Sequence, residues 1–167
     1  MRWSVLIMCE KLSAPPATGS PEDIESARKA NFGVTREDLW VSGIWQDPVY
    51  LGSYPEEFYR VFAAELPRIG QDDLKTIAQP LDFIGLNIYR GRKIKAGKDG
   101  GPVNVGLAAG YPRTGFDWTI NPESLYWGPK FFYERYRRPV IVTENGIVYP
   151  PFDINLRRAV EGTLTSS

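Results

Sequence analysis

Three short apolar runs divide the chain, at residues 3–9, 81–87 and 139–143. Each is rich in Val, Ile, Leu or aromatic residues and lacks the polar alternation of a half-exposed strand. Short runs of this kind are typical of strands buried on both faces of a parallel sheet. The sequence therefore predicts three buried strands.

The segment after the first run carries a helix start signal. Ser20 is placed to cap the helix, Pro21 fits its first turn, and Asp23 stands three residues after the cap. This spacing predicts a helix that ends near Ala30.

Further helices are expected on both sides of the second apolar run. One starts at Pro55 and continues to about Glu65, with Phe58 and Phe62 at helical spacing, and a short one covers residues 72–78. Another opens at Asn121-Pro122 and ends near Arg137, and Gly128-Pro129 is expected to break or restart it. In the last segment, residues 155–161 could form a helix.

Other stretches have weaker patterns. Residues 31–43 are ambiguous between helix and loop, and Gln46-Asp47-Pro48 predicts a turn. Residues 91–112 are rich in Gly and Lys without apolar periodicity, which indicates a long loop of the kind that caps functional sites.

The order of elements is strand, helices, strand, loop, helix, strand. This alternation predicts an α/β chain with parallel strands and right-handed crossovers, in one domain over residues 1–167. At 167 residues the chain is shorter than the roughly 250 that a complete (β/α)₈ barrel needs.

Charge and composition exclude several classes of function. Lys and Arg total 20, as do Asp and Glu, so nucleic acid and anionic membranes are poor partners. Histidine is absent and Cys9 is the sole cysteine, which excludes Ser-His-Asp or Cys-His catalysis, Cys/His metal sites and an intrachain disulfide. We expect no metal and no cofactor. Any acid–base chemistry must then be carried out by carboxylates, Tyr, Lys or Cys9.

The N-terminal apolar run superficially resembles a signal peptide. It is short, Glu10-Lys11 closes it, and no cleavage site of small residues follows closely. No stretch approaches the ~20 apolar residues of a membrane span. The expectation is a strand and a cytoplasmic protein.

The third run ends in Thr143-Glu144-Asn145-Gly146. In (β/α)₈ barrels the catalytic groups lie at the carboxyl ends of buried parallel strands. Glu144 is therefore the leading candidate for a catalytic carboxylate.

Several motifs, in order, resemble glycoside hydrolase family 1, the β-glucosidase family. The resemblance is strongest over residues 5–146, and residues 147–167 diverge. Its motifs are Ser20-Pro21-Glu22-Asp23-Ile24-Glu25 with Ala27-Arg28, Asp47-Pro48-Val49 with Gly52 and Tyr54-Pro55, Asp82-Phe83-Ile84-Gly85-Leu86-Asn87-Ile88-Tyr89, Pro112-Arg113-Thr114 with Trp118 and Pro122-Glu123-Ser124-Leu125, and Thr143-Glu144-Asn145-Gly146.

The resemblance implies part of a (β/α)₈ TIM barrel, about strands five to seven with flanking helices, and a retaining β-glycosidase acting on a β-glucoside or related sugar. Such enzymes use two carboxylates about 5 Å apart. Glu144 would be the nucleophile and Tyr89 would donate a hydrogen bond to it. Asn87, on the same strand face as Tyr89, would line the sugar pocket, and Trp118 would form part of the leaving-group wall.

The sequence also departs from the family. The family's acid/base lies in an Asn-Glu-Pro motif, which does not occur here, and Glu10 is only a weak substitute. The alternative is a catalytically inactive barrel fragment, at most a weak sugar-binding or self-associating module, in which Trp118 merely packs. Three strands would leave a barrel wall open, which a second copy could cover as a homo-oligomer.

Overall fold

The structure is a computed structural model that describes residues 5–6 and 13–148. The described residues form two small sheets and five helices. In chain order they are β1 Val5–Leu6, α1 Pro21–Phe32, α2 Ser42–Tyr50, α3 Glu56–Phe62, α4 Gln71–Ile77, β2 Ile84–Asn87, β3 Ile94–Ala96, β4 Pro102–Asn104, α5 Ser124–Tyr136 and β5 Val140–Glu144.

The main sheet has the order β1-β2-β5, and both strand pairs are parallel. This arrangement confirms the predicted α/β class with parallel strands. The described strands form an open sheet rather than a closed barrel, as expected for part of a barrel. Most of the first apolar run, with Cys9 and Glu10, and the helix expected at residues 155–161 lie outside the described residues.

The central strand β2 is the best-packed part of the sheet. Ile84 and Leu86 have no exposed surface, and they share one core cluster with Ala27 of α1 and with Phe131 and Phe132 of α5. A fully buried central strand explains why its sequence is a continuous apolar run.

The third strand is not buried as its sequence predicts. Val140 packs against the core, but Ile141 is 48% exposed and Val142 is 39% exposed. The reason is that β5 lies at an edge of the described sheet, with β2 on one side only. β-Branched side chains are therefore exposed on both faces of this edge strand.

Helix α1 begins as the sequence predicts. The Ser20 Oγ accepts a hydrogen bond from the Asp23 amide at 3.2 Å, and Pro21 occupies the first turn. The Asp23 carboxylate does not return to Ser20. It accepts hydrogen bonds from the Thr18 hydroxyl at 2.7 Å and from the Ala96 amide at 2.8 Å, and so connects α1 to β3.

The turn predicted at Gln46-Asp47-Pro48 is wrong, because these residues lie within α2. Asp47 is 2% exposed, and it accepts hydrogen bonds from Arg135 Nε and from the Tyr136 hydroxyl, each at 2.8 Å. Partners almost ninety positions away hold this segment in a helix, and local turn preferences do not show them.

The break predicted at Gly128-Pro129 is also wrong, since α5 continues through Pro129. A Cβ on Gly128 would lie 3.1 Å from Ile88 Cδ1 and 3.5 Å from Ser13 Oγ. This close packing against the end of β2 holds the helix in place across the proline. The helix begins at Ser124, and Glu123 rather than Asn121 occupies the capping position.

The long loop predicted at residues 91–112 contains a hairpin of β3 and β4. Its turn is closed by a 2.8 Å bond from the Gly97 amide to the Gly101 carbonyl, and Gly100 has a φ of 74°. The Ile94 amide donates to the Pro15 carbonyl at 2.9 Å. Strands of three residues are too short to show a period in sequence, so this hairpin was not foreseen.

Candidate functional site

The candidate site lies where β2 and β5 end side by side. Asn87 stands opposite Glu144 in the strand register, and the register shifts between Leu86 and Asn87. The Ile88 amide donates to the Glu144 carbonyl at 2.9 Å, and Asn145 Nδ2 donates to the Ile88 carbonyl at 2.6 Å. These bonds fix the two strand ends against each other.

Two of the predicted residues meet directly. The Tyr89 hydroxyl donates a hydrogen bond to Glu144 Oε2. This bond raises the pKa of Tyr89 above its usual value, because losing the phenol proton would remove the donor and place a second negative charge beside the carboxylate. The carboxylate is thus held by a neutral donor, at an accessible position.

Asn87, opposite Glu144 in the strand register, is buried, with 3% of its surface exposed. Its Oδ1 accepts a hydrogen bond of 2.6 Å from the Thr143 hydroxyl, the residue before Glu144. The bond orients the amide and ties β2 to β5 a second time. The sequence alone indicates no role for Thr143, although this residue belongs to the same motif as Glu144.

Trp118 lies beside the tyrosine. The Trp118 and Tyr89 ring centroids are 5.8 Å apart, and Phe116 is 5.4 Å from Trp118 on another side. The Thr114 amide donates to the Trp118 carbonyl at 2.8 Å and sets the loop. The Arg90 guanidinium lies 5.2 Å from the Trp118 ring centroid, a contact that the sequence did not indicate.

A small cleft of about 130 Å³ adjoins these residues. Tyr89, Thr114, Asn121 and Asn145 are among its lining residues, whereas Asn87, Trp118 and Glu144 are not. The structure therefore brings Glu144, Tyr89 and Trp118 together by direct contacts and connects Asn87 through Thr143.

This arrangement has a definite chemical capacity. An accessible carboxylate held by a phenol hydroxyl can act as a nucleophile, and an aromatic ring beside it offers a face for a sugar or an aromatic leaving group. Within the described residues, no group of three or more Cys, Asp or Glu side chains could hold a metal ion. In the same part of the chain, no helix has the length and apolar character needed to cross a membrane.

The comparisons with known proteins agree with these motifs. The model of glycosyl hydrolase family 1 matches residues 4–155. The 1,4-beta-D-glucan glucohydrolase of Thermotoga neapolitana is 33% identical over 136 residues, which are 80% of this chain and 30% of that protein. Beta-glucosidase A of Thermotoga maritima is 36% identical over 108 residues, which are 64% of this chain and 24% of that protein.

Solved structures show the same relationship. The β-glucosidase of Thermotoga maritima in complex with glucoimidazole superposes with a TM-score of 0.60 at 30% identity, over 87% of this chain and 31% of the other. The chain thus spans about a third of the length of its relatives, which are TIM-barrel enzymes, and its parallel sheet corresponds to part of their barrel. The chain belongs to glycosyl hydrolase family 1.

Proposed function

We propose that this chain carries the nucleophile part of a retaining β-glucosidase. The observation that supports this most is the hydrogen bond from Tyr89 to Glu144 at the joined ends of β2 and β5, in a chain of this family. In the proposed reaction the Glu144 carboxylate attacks the anomeric carbon, the glycosidic oxygen leaves, and water later hydrolyses the glycosyl ester.

The neighbouring residues have distinct roles in this proposal. Tyr89 orients Glu144 and keeps its charge available for attack. Asn87, oriented by Thr143, lies under the donor sugar, and Trp118 forms a wall for the leaving group. The substrate is a β-glucoside, in keeping with the glucan glucohydrolase and β-glucosidase activities of the relatives.

The family's acid/base motif, Asn-Glu-Pro, does not occur in the sequence. General acid–base catalysis typically contributes about 10²–10⁴-fold. We therefore expect glycosylation of Glu144 with strongly activated leaving groups and not with alkyl glucosides or cellobiose, unless another chain supplies an acid.

Intact-mass spectrometry with an activated 2-deoxy-2-fluoroglucoside tests the nucleophile. This reagent forms a long-lived glycosyl ester and needs little help from an acid. We expect one added sugar on the peptide that contains Glu144, no adduct on the Glu144→Gln variant, and an unchanged adduct on Glu57→Gln. Glu57 is an exposed glutamate of α3 and serves as the matched control. A folded chain that gains no sugar would contradict the proposal.

A second candidate is a catalytically inactive fragment that binds sugar weakly or self-associates. The exposed Ile141 and Val142 of β5 favour it, because an exposed apolar edge strand invites pairing with a second copy as a homo-oligomer. Under this alternative, Glu144→Gln leaves both sugar binding and self-association unchanged, and the trapping reagent gives no adduct.

A further inference from the structure

A second cleft, of about 650 Å³, lies in the segment between the end of β2 and the start of α5. Four cationic side chains line it, Arg90, Arg92, Lys93 and Arg113, against one lining carboxylate, Asp117. The volume falls in the range of small-molecule sites. The excess of positive charge stands out in a chain whose net charge is zero.

Ion pairs neutralise only part of this charge. Lys93 Nζ lies 2.7 Å from Glu123 Oε1, and Arg113 Nη1 lies 3.1 Å from Asp117 Oδ2. The structure shows no ion pair between Arg92 and any described carboxylate, and Arg92 is exposed. The three cations Arg92, Lys93 and Arg113 stand against these two carboxylates, which leaves a net positive charge in the cleft.

The position of the cleft connects it with the candidate site. All its lining residues lie between Arg90 and Asn121, in the segment that follows the carboxyl end of β2. Arg90 directly follows Tyr89 in sequence and lies over Trp118. The cleft is therefore at the same end of the sheet as Glu144.

Apolar side chains complete the lining of the cleft. Leu107 and Tyr111 provide apolar surface for the body of a ligand.

We propose that this cleft binds a small organic anion, a carboxylate, sulfate or phosphate carried on an aromatic or sugar body. Guanidinium groups suit such anions because their parallel N–H donors can bind two anion oxygens at once. Arg92 and Arg113 bind the anion in this proposal. The cleft is proposed as a binding site only, and this proposal does not depend on hydrolysis at Glu144.

Isothermal titration calorimetry with phenyl phosphate, phenol and glucose 1-phosphate tests the site. Phenol lacks the anion of phenyl phosphate, and glucose 1-phosphate replaces its aromatic body with a sugar. We expect at least one of the two phosphates to bind about tenfold or more tightly than phenol, and its affinity to fall as salt is raised. Which phosphate binds more tightly identifies the body that the cleft prefers.

Paired variants place the binding in this cleft. Arg92→Gln with Arg113→Gln should weaken phosphate binding about tenfold or more. The control variant, Arg60→Gln with Arg68→Gln, makes the same change in net charge at exposed residues outside the cleft. It should change the affinity for the phosphate by less than about twofold. Arg92→Gln alone gives an intermediate loss without disturbing the Arg113–Asp117 pair.

The proposal is overturned if both phosphates bind no better than phenol. It is also overturned if the cleft variants, shown to be folded by circular dichroism, bind as the wild type does.

Discussion

The Tyr89 hydroxyl donates a hydrogen bond to the Glu144 carboxylate across the ends of two neighbouring parallel strands. Fifty-five positions separate the two residues in sequence, so the bond exists only once β2 and β5 have paired. The bond therefore indicates both that the sheet has assembled and that the proposed nucleophile is correctly oriented.

Removing this donor should slow the trapping reaction. We expect Tyr89→Phe to lower the rate of labelling of Glu144 about tenfold or more, because a hydrogen bond to a charged group is lost. The rate is measured by intact mass against time. Tyr126→Phe, which changes a highly exposed tyrosine of α5, should label at the wild-type rate. Equal rates for the two variants would refute a positioning role for Tyr89.

The same bond predicts a titration. The pKa of Tyr89 is raised by Glu144, so the bond is intact below the usual tyrosine pKa of about 10 and is lost as the pH rises through the higher value in the folded state. Ultraviolet difference spectra between wild type and Tyr89→Phe should show one tyrosine that ionises late. In Glu144→Gln that tyrosine should ionise at lower pH, and an unchanged midpoint would argue against the contact.

The buried carboxylate of Asp47 should be essential for stability. Arg135→Met removes its ion-pair partner and leaves the charge to the Tyr136 hydroxyl alone. We expect a loss of about 3 kcal/mol in the free energy of unfolding, at the low end for buried pairs since Arg135 is partly exposed. Urea unfolding measures it. Arg138→Met, at an exposed neighbour, should change the free energy by less than about 0.5 kcal/mol.

Asp23 predicts a dependence of stability on pH. The amide of Ala96 and the hydroxyl of Thr18 donate to its carboxylate and lower its pKa. The stabilisation is therefore complete above the unfolded-state pKa of about 3.9 and is lost as the pH falls through the lower folded-state value. Asp23→Asn should have a lower Tm than wild type at pH 7, and the difference should shrink towards pH 2. Glu22→Gln, at an exposed neighbour, should not show this pattern.

The exposed apolar edge strand β5 predicts self-association. Replacing Ile141 and Val142 by Thr keeps the β-branched shape and removes apolar surface. Sedimentation velocity should show a smaller associated fraction for this double variant. Val103→Thr makes a similar change at an exposed valine of β4 and should leave association unchanged. A wild-type chain that stays monomeric at high concentration would rule out the homo-oligomer.

The sequence predicted those elements whose signals are local. The apolar run at Ile84–Asn87 and the cap at Ser20 each depend on neighbouring residues, and both appear as expected. The helix at Pro48 and the unbroken course of α5 through Pro129 could not be predicted, because distant partners such as Arg135 and Ser13 determine them.

The candidate site likewise contains residues that the sequence indicates and contacts that it does not. The candidate residues Glu144, Tyr89, Asn87 and Trp118 are predictions from the resemblance of the sequence to a family. The contact of Arg90 with Trp118 depends on how a loop folds back, and no local pattern records that.

The register shift after Leu86 has a consequence for this site. Paired residues of adjacent strands point to the same side of a sheet, and a slip of one residue reverses that side. Continued without the shift, the pairing would place Glu144 opposite Ile88, on the side away from Asn87 and Tyr89. A single extra residue in β5, Thr143, thus decides on which side of the sheet the proposed nucleophile and its donor meet.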